Sequence, residues 1–211
     1  MLSWRQMVTS RYTTVVFDLG GVLIDWNPRY LYRARFGGDE AAMEHFLTHV
    51  CTPDWNVQQD GGRSFADACR LLSAEHPHYR EHIHAWLSGF DTMMSGAIQG
   101  TVDILAELRA KGTPLYALSN WSAETFPYAL QRFEFLKWFD ALVISGQIKL
   151  MKPDPRIYRH LLDTHALRAE DLVFIDDAPA NVAAAKSANI HALRFTTPEA
   201  LRQELTALGL L

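Results

Sequence analysis

Cysteine is scarce in this chain: Cys51 and Cys69 are the only two among 211 residues. That excludes a disulfide framework and a four-cysteine zinc site. Positive charge is not in surplus either. Twenty Lys and Arg stand against 24 Asp and Glu, a formal net charge of −4, so the balance offers nothing to neutralise a nucleic-acid backbone and no nucleic-acid partner is expected. Long apolar runs are missing: none approaches the roughly 18 residues of a spanning helix, and no membrane partner is expected. The stretch Met1–Thr14 carries Arg5 and Arg11 but no uninterrupted apolar h-region. A secretory signal is therefore not expected there, and a cytoplasmic location is. Charged residues, at 21%, are too few for a disordered chain, while apolar residues, at 48%, suffice for a sizeable core. At ~150 residues per domain, the length predicts one domain with an insert or two small ones.

What is present is a repeated design. The β-branched and apolar run Thr13-Thr14-Val15-Val16-Phe17 stops at Asp18, and Gly20-Gly21 break it. Its continuity predicts a strand buried on both faces, as in a parallel sheet. Leu115–Leu118 stops likewise at Ser119-Asn120, Ala141–Ile144 at Ser145-Gly146, and Leu172–Ile175 at Asp176-Asp177; Ile190–Phe195 is a weaker fifth run. Helical periodicity alternates with these runs. Thr101–Lys111 has Thr101 placed as an N-cap and Gly112 as a stop. Asp154-Pro155 reads as an N-cap and first-turn proline ahead of Ile157, Tyr158, Leu161 and Leu162. Ala180–Ala188 and Glu199–Leu208 also read as helices. This alternation predicts an α/β fold with a Rossmann-like three-layer core and a mainly parallel sheet. Between about Asn27 and Ser95 the pattern changes to helical patches alone: Pro28–Phe36, Asp39–Val50, Ser64–Glu75 and His78–Leu87. The predicted division is a core of residues 1–26 and 96–211 and a small all-helical cap of 27–95, inserted after the first strand. The cap would lie over the carboxyl ends of the strands, where open α/β sheets bind ligands.

Each strand end carries polar residues with two readings. Asp18 serves either as a turn aspartate before two glycines or as a nucleophilic carboxylate able to form an acyl phosphate. Ser119-Asn120 is either a helix cap or a hydroxyl with backbone N–H groups that bind phosphate oxygens. Lys152, just before a capped helix, is either solvated surface or a point charge aimed at a phosphoryl group. Asp176-Asp177 is the most informative pair. One of the two would suffice to cap the next helix. Two adjacent carboxylates at the end of a buried run repel each other unless a cation joins them. Mg²⁺, a hard cation held by one or two carboxylates, suits them, whereas zinc is disfavoured because no Cys or His lies nearby in sequence.

In this order and around this insert, four motifs resemble the haloacid dehalogenase superfamily of aspartate-nucleophile hydrolases. They are Phe17-Asp18-Leu19-Gly20-Gly21-Val22, Leu118-Ser119-Asn120, Lys152-Pro153, and Phe174-Ile175-Asp176-Asp177 with Asn181. The resemblance implies Asp18 as nucleophile, Ser119 and Asn120 as phosphate ligands, and Lys152 as a stabiliser of charge that also binds the phosphate. Mg²⁺ would be held by Asp18, the Gly20 carbonyl and Asp177, with Asp176 positioning Lys152 or a metal-bound water. One position departs from the pattern. Phosphatases of the superfamily usually carry a second aspartate two residues after the nucleophile as general acid and base, and here Gly20 stands there. The motif is closer to the sugar-phosphate branch that has glycine at that position.

The resulting expectation is a Mg²⁺-dependent phosphatase of small, sugar-phosphate-like metabolites working through a phosphoaspartyl intermediate. Two rivals are a hydrolytic 2-haloacid dehalogenase using the same aspartate and a catalytically impaired binding protein. Dehalogenases of the superfamily lack the double aspartate and the metal, so Asp176-Asp177 favours phosphate. Asp25 is a weak candidate for the missing acid. Trp26 and Trp121 stand near chemical motifs and read as pocket walls or as packing; Arg63 and Gln58, in the expected loop Gln58–Arg63, are specificity candidates. His76, His78, His82 and His84 read as solvated cap surface rather than a metal site. Nothing in the sequence fixes an oligomeric state.

Overall fold

The computed structural model describes residues 10–211, so most of the Met1–Thr14 stretch read above lies outside the described residues. In chain order, β1 (Thr14–Phe17) leads to β2 (Ile24–Trp26) and then to five helices: α1 (Arg29–Arg35), α2 (Glu40–His49), α3 (Pro53–Asp60), α4 (Phe65–Glu75) and α5 (Arg80–Ser88). Next come β3 (Met94–Ala97), α6 (Gln99–Ala110), β4 (Leu115–Ser119), α7 (Phe126–Arg132), β5 (Ala141–Ile144) and the short α8 (Ser145–Ile148). The chain ends through α9 (Pro155–Thr164), β6 (Leu172–Asp176), α10 (Pro179–Ser187), β7 (His191–Arg194) and α11 (Pro198–Ala207).

Five strands form one parallel sheet in the order β5-β4-β1-β6-β7. The fold is the α/β Rossmann-like three-layer arrangement that the alternation predicts. Side chains alternate across a strand, and β1 shows why its run has no polar gap. Val15 and Phe17 join a cluster with Leu105 and Leu108 of α6 and Leu201 of α11. Val16 faces the other way and joins Ile157 and Leu161 of α9 and Val182 of α10. Both faces are therefore buried, and every residue of β1 is a core residue.

Caps explain several helix starts. Asp154 accepts from the Arg156 N–H at α9, and Thr52 accepts from the Trp55 N–H at α3 with Pro53 in its first turn. Thr101, read as a cap, instead lies buried within α6. That helix starts earlier because the Ile98 N–H is held by the Leu23 carbonyl, 2.9 Å away, which fixes where the chain turns. The expected absence of strand between 27 and 95 is also corrected. β2 and β3 pair antiparallel as a separate two-stranded ribbon, and α1 to α5 lie between them in the chain. β3 is short and contains Ser95 and Gly96, so its sequence carries no strand signal. The expected Gln58–Arg63 loop is corrected too, because Gln58, Gln59 and Asp60 form the last turn of α3. Among the described residues no helix is long and apolar enough to cross a membrane.

Candidate active site

Parallel pairing decides which strand ends meet. Phe17 pairs with Ala117 on one side and Ile175 on the other, so Asp18, Ser119 and Asp176 emerge together at the carboxyl edge of the sheet. Lys152, between α8 and α9, reaches into this group. Its Nζ lies 2.9 Å from Asp18 Oδ2 and 2.7 Å from Asp176 Oδ2, and its side chain is 1% exposed. A buried ammonium is costly unless paired, and here two carboxylates flank it.

The remaining lone pairs of these carboxylates are also engaged. Asp176 accepts from the Ala178 N–H at 2.8 Å and, with both oxygens, from Asn181 Nδ2 at 3.1 Å. Asn181 is steadied in turn by the Tyr158 hydroxyl, which donates to its carbonyl. Asp18 Oδ1 accepts from Ser119 Oγ and from the Leu19 N–H, both at 2.7 Å. Burial pushes the Asp18 pKa up to about 6; Lys152 opposes that rise, and the Asp176 charge adds to it. Asp177 is exposed, and its carboxyl is also raised, by desolvation first and then by Asp176. Asp18, Asp176 and Asp177 each present an oxygen within 4.8 Å of the others. Three carboxylates this close, with one lysine among them, leave uncompensated negative charge that a hard divalent cation fits. No histidine group of that kind occurs among the described residues. His78 is exposed beside Tyr79, and His82 packs its ring 4.4 Å from that of Phe36.

Asn120 has a different place from the one expected of a cap. Its Nδ2 donates to the Lys152 carbonyl and its Oδ1 accepts from the Lys152 N–H, both at 2.8 Å, so it clamps the lysine backbone. Helix α7 begins only at Phe126. The two glycines after Asp18 differ. Gly21 has φ +74, and a Cβ there would lie 2.7 Å from Asp177 Oδ2. A Cβ at Gly20 would meet nothing within 4 Å.

Gly20, Asn120 and Trp121 line a cleft of ≈ 370 Å³ whose other walls are Trp26, Phe90, Asn56 and Asp60. Trp26 and Trp121 are thus brought together at this cleft. Arg63 is not among its lining residues. It donates to Gln59 Oε1 at 2.7 Å and to the Trp55 carbonyl at 3.2 Å, bracing the turn between α3 and α4. Gln58 is exposed and bonded to the Asp54 carbonyl of its own helix. Asp25 accepts from the Tyr30 and Ser95 hydroxyls and is not among the cleft's lining residues either. The residue that sequence reasoning missed is Asp60. Ser145 Oγ donates to its carbonyl at 2.6 Å, docking the end of α3 on the sheet edge. Burial pushes its carboxyl up to about 7, with the Ser122 backbone opposing and the Asp18 charge adding to the rise. The Thr52-Pro53 start of α3 was the available signal for it.

A parallel sheet carrying a buried Asp18–Lys152–Asp176 cluster at its carboxyl edge, beneath a helical insert, is the architecture of a haloacid dehalogenase-like hydrolase. The chain matches that family over residues 12–189 and belongs to it. Among curated relatives it is similar to the sesquiterpene phosphatase astK of Aspergillus oryzae, with 25% identity covering 93% of this chain and 96% of that protein. At 27% identity, 98% of the chain aligns with acyl-CoA dehydrogenase family member 10 of Mus musculus, of which it spans 20%. Among solved structures, a family enzyme of Bacteroides thetaiotaomicron in complex with magnesium and inorganic phosphate matches with a TM-score of 0.69 at 20% identity. The match covers 88% of this chain and 95% of that one.

Proposed function

We propose that the protein is a Mg²⁺-dependent phosphatase of small phosphate monoesters, working through a phosphoaspartyl intermediate on Asp18. The observation that carries this reading is the buried chain Ser119–Asp18–Lys152–Asp176 with Asp177 alongside. Asp18, the Gly20 carbonyl and Asp177 would hold Mg²⁺, which supplies charge neutralisation between the nucleophile and the phosphoryl oxygens. Even with its raised pKa of about 6, Asp18 is largely ionised at neutral pH. Its oxygen attacks phosphorus, and the bond to the leaving oxygen breaks. Water then hydrolyses the acyl phosphate, returning Asp18 and releasing inorganic phosphate. Lys152 balances the phosphoryl charge, Ser119 donates its hydroxyl, Asp176 and Asn120 hold Lys152 in place, and Asn120 also faces the bound phosphate.

With no carboxyl at Gly20, we assign proton donation to the leaving oxygen to Asp60. It shares the cleft with Gly20 and keeps a substantial protonated fraction near neutrality. Residues 27–95 act as a cap on a core of 1–26 and 96–211, with the β2–β3 ribbon carrying the chain in and out. Trp26 and Trp121 contribute to substrate choice, and a cytoplasmic enzyme is our reading of the sequence. The relative's action on a sesquiterpene phosphate supports phosphate-ester chemistry on this architecture. The dehalogenase reading leaves Asp177 beside Asp18 without a role, and a decayed binding protein would have no need of an intact, fully bonded lysine.

The test is hydrolysis of p-nitrophenyl phosphate with Mg²⁺ and with EDTA, alongside halide release from 2-chloropropionate. We expect phosphate release only with Mg²⁺ and no halide. Halide release without metal would establish the dehalogenase instead, and inertness toward both substrates would establish the binding protein.

A further inference from the structure

The catalytic cleft does not end at Asp60. A second cavity of ≈ 830 Å³ opens inside the helical insert and shares Trp26, Asn56 and Asp60 with the first. Its farther lining is largely apolar: Leu47 of α2, Cys51 just after that helix, Pro53 and Val57 of α3, and Trp86 of α5. Aromatic rings connect the two spaces without a break. Trp121 lies 6.0 Å from Phe90, Phe90 lies 6.2 Å from Trp26, and Trp26 lies 6.4 Å from Trp86, centroid to centroid. Facing them at the shared neck, Asn56 and Asp60 sit one turn apart on α3, with Asn56 Nδ2 3.3 Å from Asp60 Oδ2.

Charge narrows the occupant further. Among the described residues lining this cavity Arg29 is the one cation, and its Nε and one terminal nitrogen are bound to the two oxygens of the Glu44 carboxylate. A carboxylate or second phosphate on the leaving group would meet Asp60 and would have to compete with Glu44 for Arg29. A purely polyhydroxylic group would leave the walls of Leu47, Cys51, Val57 and Trp86 unused. We infer that the leaving group is an uncharged amphiphilic alcohol, with hydroxyl or ester oxygen at the Asn56–Asp60 neck and hydrocarbon in the cavity beyond. The inference rests on the phosphatase reading for the position of the phosphate and replaces a sugar phosphate with a lipid-like monoester.

Two series separate this inference from that reading. In the first, binding of n-alkylphosphonates of increasing length to the Mg²⁺-loaded protein is measured by calorimetry. Affinity should rise about fourfold per methylene until the cavity is filled. In the second, kcat/KM is measured for the matching n-alkyl phosphates, phosphoglycolate, ribose 5-phosphate and p-nitrophenyl phosphate. The alkyl series should climb in parallel and overtake the two charged or polyhydroxylic esters. Val57→Glu and Thr48→Trp alter rim positions that are exposed and line the cavity. Both should flatten the length dependence of phosphonate affinity and of kcat/KM for the alkyl esters. A flat phosphonate series overturns the inference, even where p-nitrophenyl phosphate is hydrolysed and the phosphatase reading stands. A rising phosphonate series in a protein that hydrolyses none of the esters upholds the cavity's role and overturns the phosphatase reading.

Discussion

The sheet edge and the helical insert are held together by different forces. At the sheet edge, Lys152 and Asp176 have side chains 1% and 0% exposed, and the lysine is shared by two carboxylates. In the insert, rings pack on rings: Tyr32 lies 4.9 Å from Phe46, and Trp55 lies 5.3 Å from Trp86. The indole N–H groups of Trp55 and Trp86, and of Trp26 on the ribbon, are buried without hydrogen-bond partners. A buried charge pair admits one geometry, because removing either member strands the other. A ring cluster tolerates exchanges that conserve volume. The site therefore joins a chemical half that resists change to a recognition half that can be reshaped.

Substitutions should separate the two halves, and the largest effect belongs to Asp18, the proposed nucleophile. Asp18→Asn is nearly isosteric yet cannot form an acyl phosphate, so turnover of p-nitrophenyl phosphate should fall by about 10⁴-fold or more with an unchanged circular dichroism spectrum. Next come the paired aspartates. Asp176→Asn removes one partner of a buried lysine and should lower the unfolding free energy by about 3 kcal/mol in urea titrations. Asp177→Asn touches an exposed carboxylate and should weaken Mg²⁺ binding, read by calorimetry, with little change in stability. Equal effects of the two substitutions on both readouts would erase the distinction between the lysine anchor and the metal ligand.

The acid assignment crosses from one half to the other. Asp60→Asn should steepen the dependence of single-turnover phosphorylation rate on leaving-group pKa. Alkyl esters should lose about 10²-fold while aryl esters lose little. Gly20→Asp in that background should restore the alkyl rates. Stability should respond to pH as well. Asp18 and Asp60 both hold protons more tightly when folded than at the ordinary aspartate value of 3.8. The folded state thus binds more protons over this range, so metal-free stability should decline as pH rises from about 4 through about 7. The urea midpoint in EDTA should be lower at pH 8 than at pH 5, and added Mg²⁺ should narrow the gap.

The sequence was most legible where both faces of a strand are buried. Val15-Val16-Phe17 and Val173-Phe174-Ile175 leave no polar position inside the run, so the ends at Asp18 and Asp176 stand out, and parallel pairing brings them together. Lys152 could be placed near them by its position before the Asp154 cap and by the Lys152-Pro153 motif of the family resemblance. The insert was less legible. The α3 helix buries only Trp55 and Gln59, and its exposed positions mix Val57 with polar residues, so no apolar stripe marks it and its end at Gln58–Asp60 reads as loop. Asp60 then looks like a turn residue until Ser145 is seen holding its carbonyl. Arg63 reads as a specificity candidate in the expected Gln58–Arg63 loop, yet its partners are the glutamine and carbonyl one and two turns before it. The β2–β3 ribbon escaped because its pairing joins segments about seventy residues apart, and no local pattern records that.

Two adjacent glycines that look interchangeable in the sequence face opposite evolutionary prospects. Gly21 is held to glycine by its φ of +74, and a Cβ there would also crowd the Asp177 carboxylate, so a side chain at this position is strained. Gly20 opens onto empty space. A side chain bearing an acid can therefore be built into the loop after Asp18, and no rearrangement of the fold bars the way. If the glycine is kept, it is kept by the substrates the enzyme must accept and not by the shape of the protein.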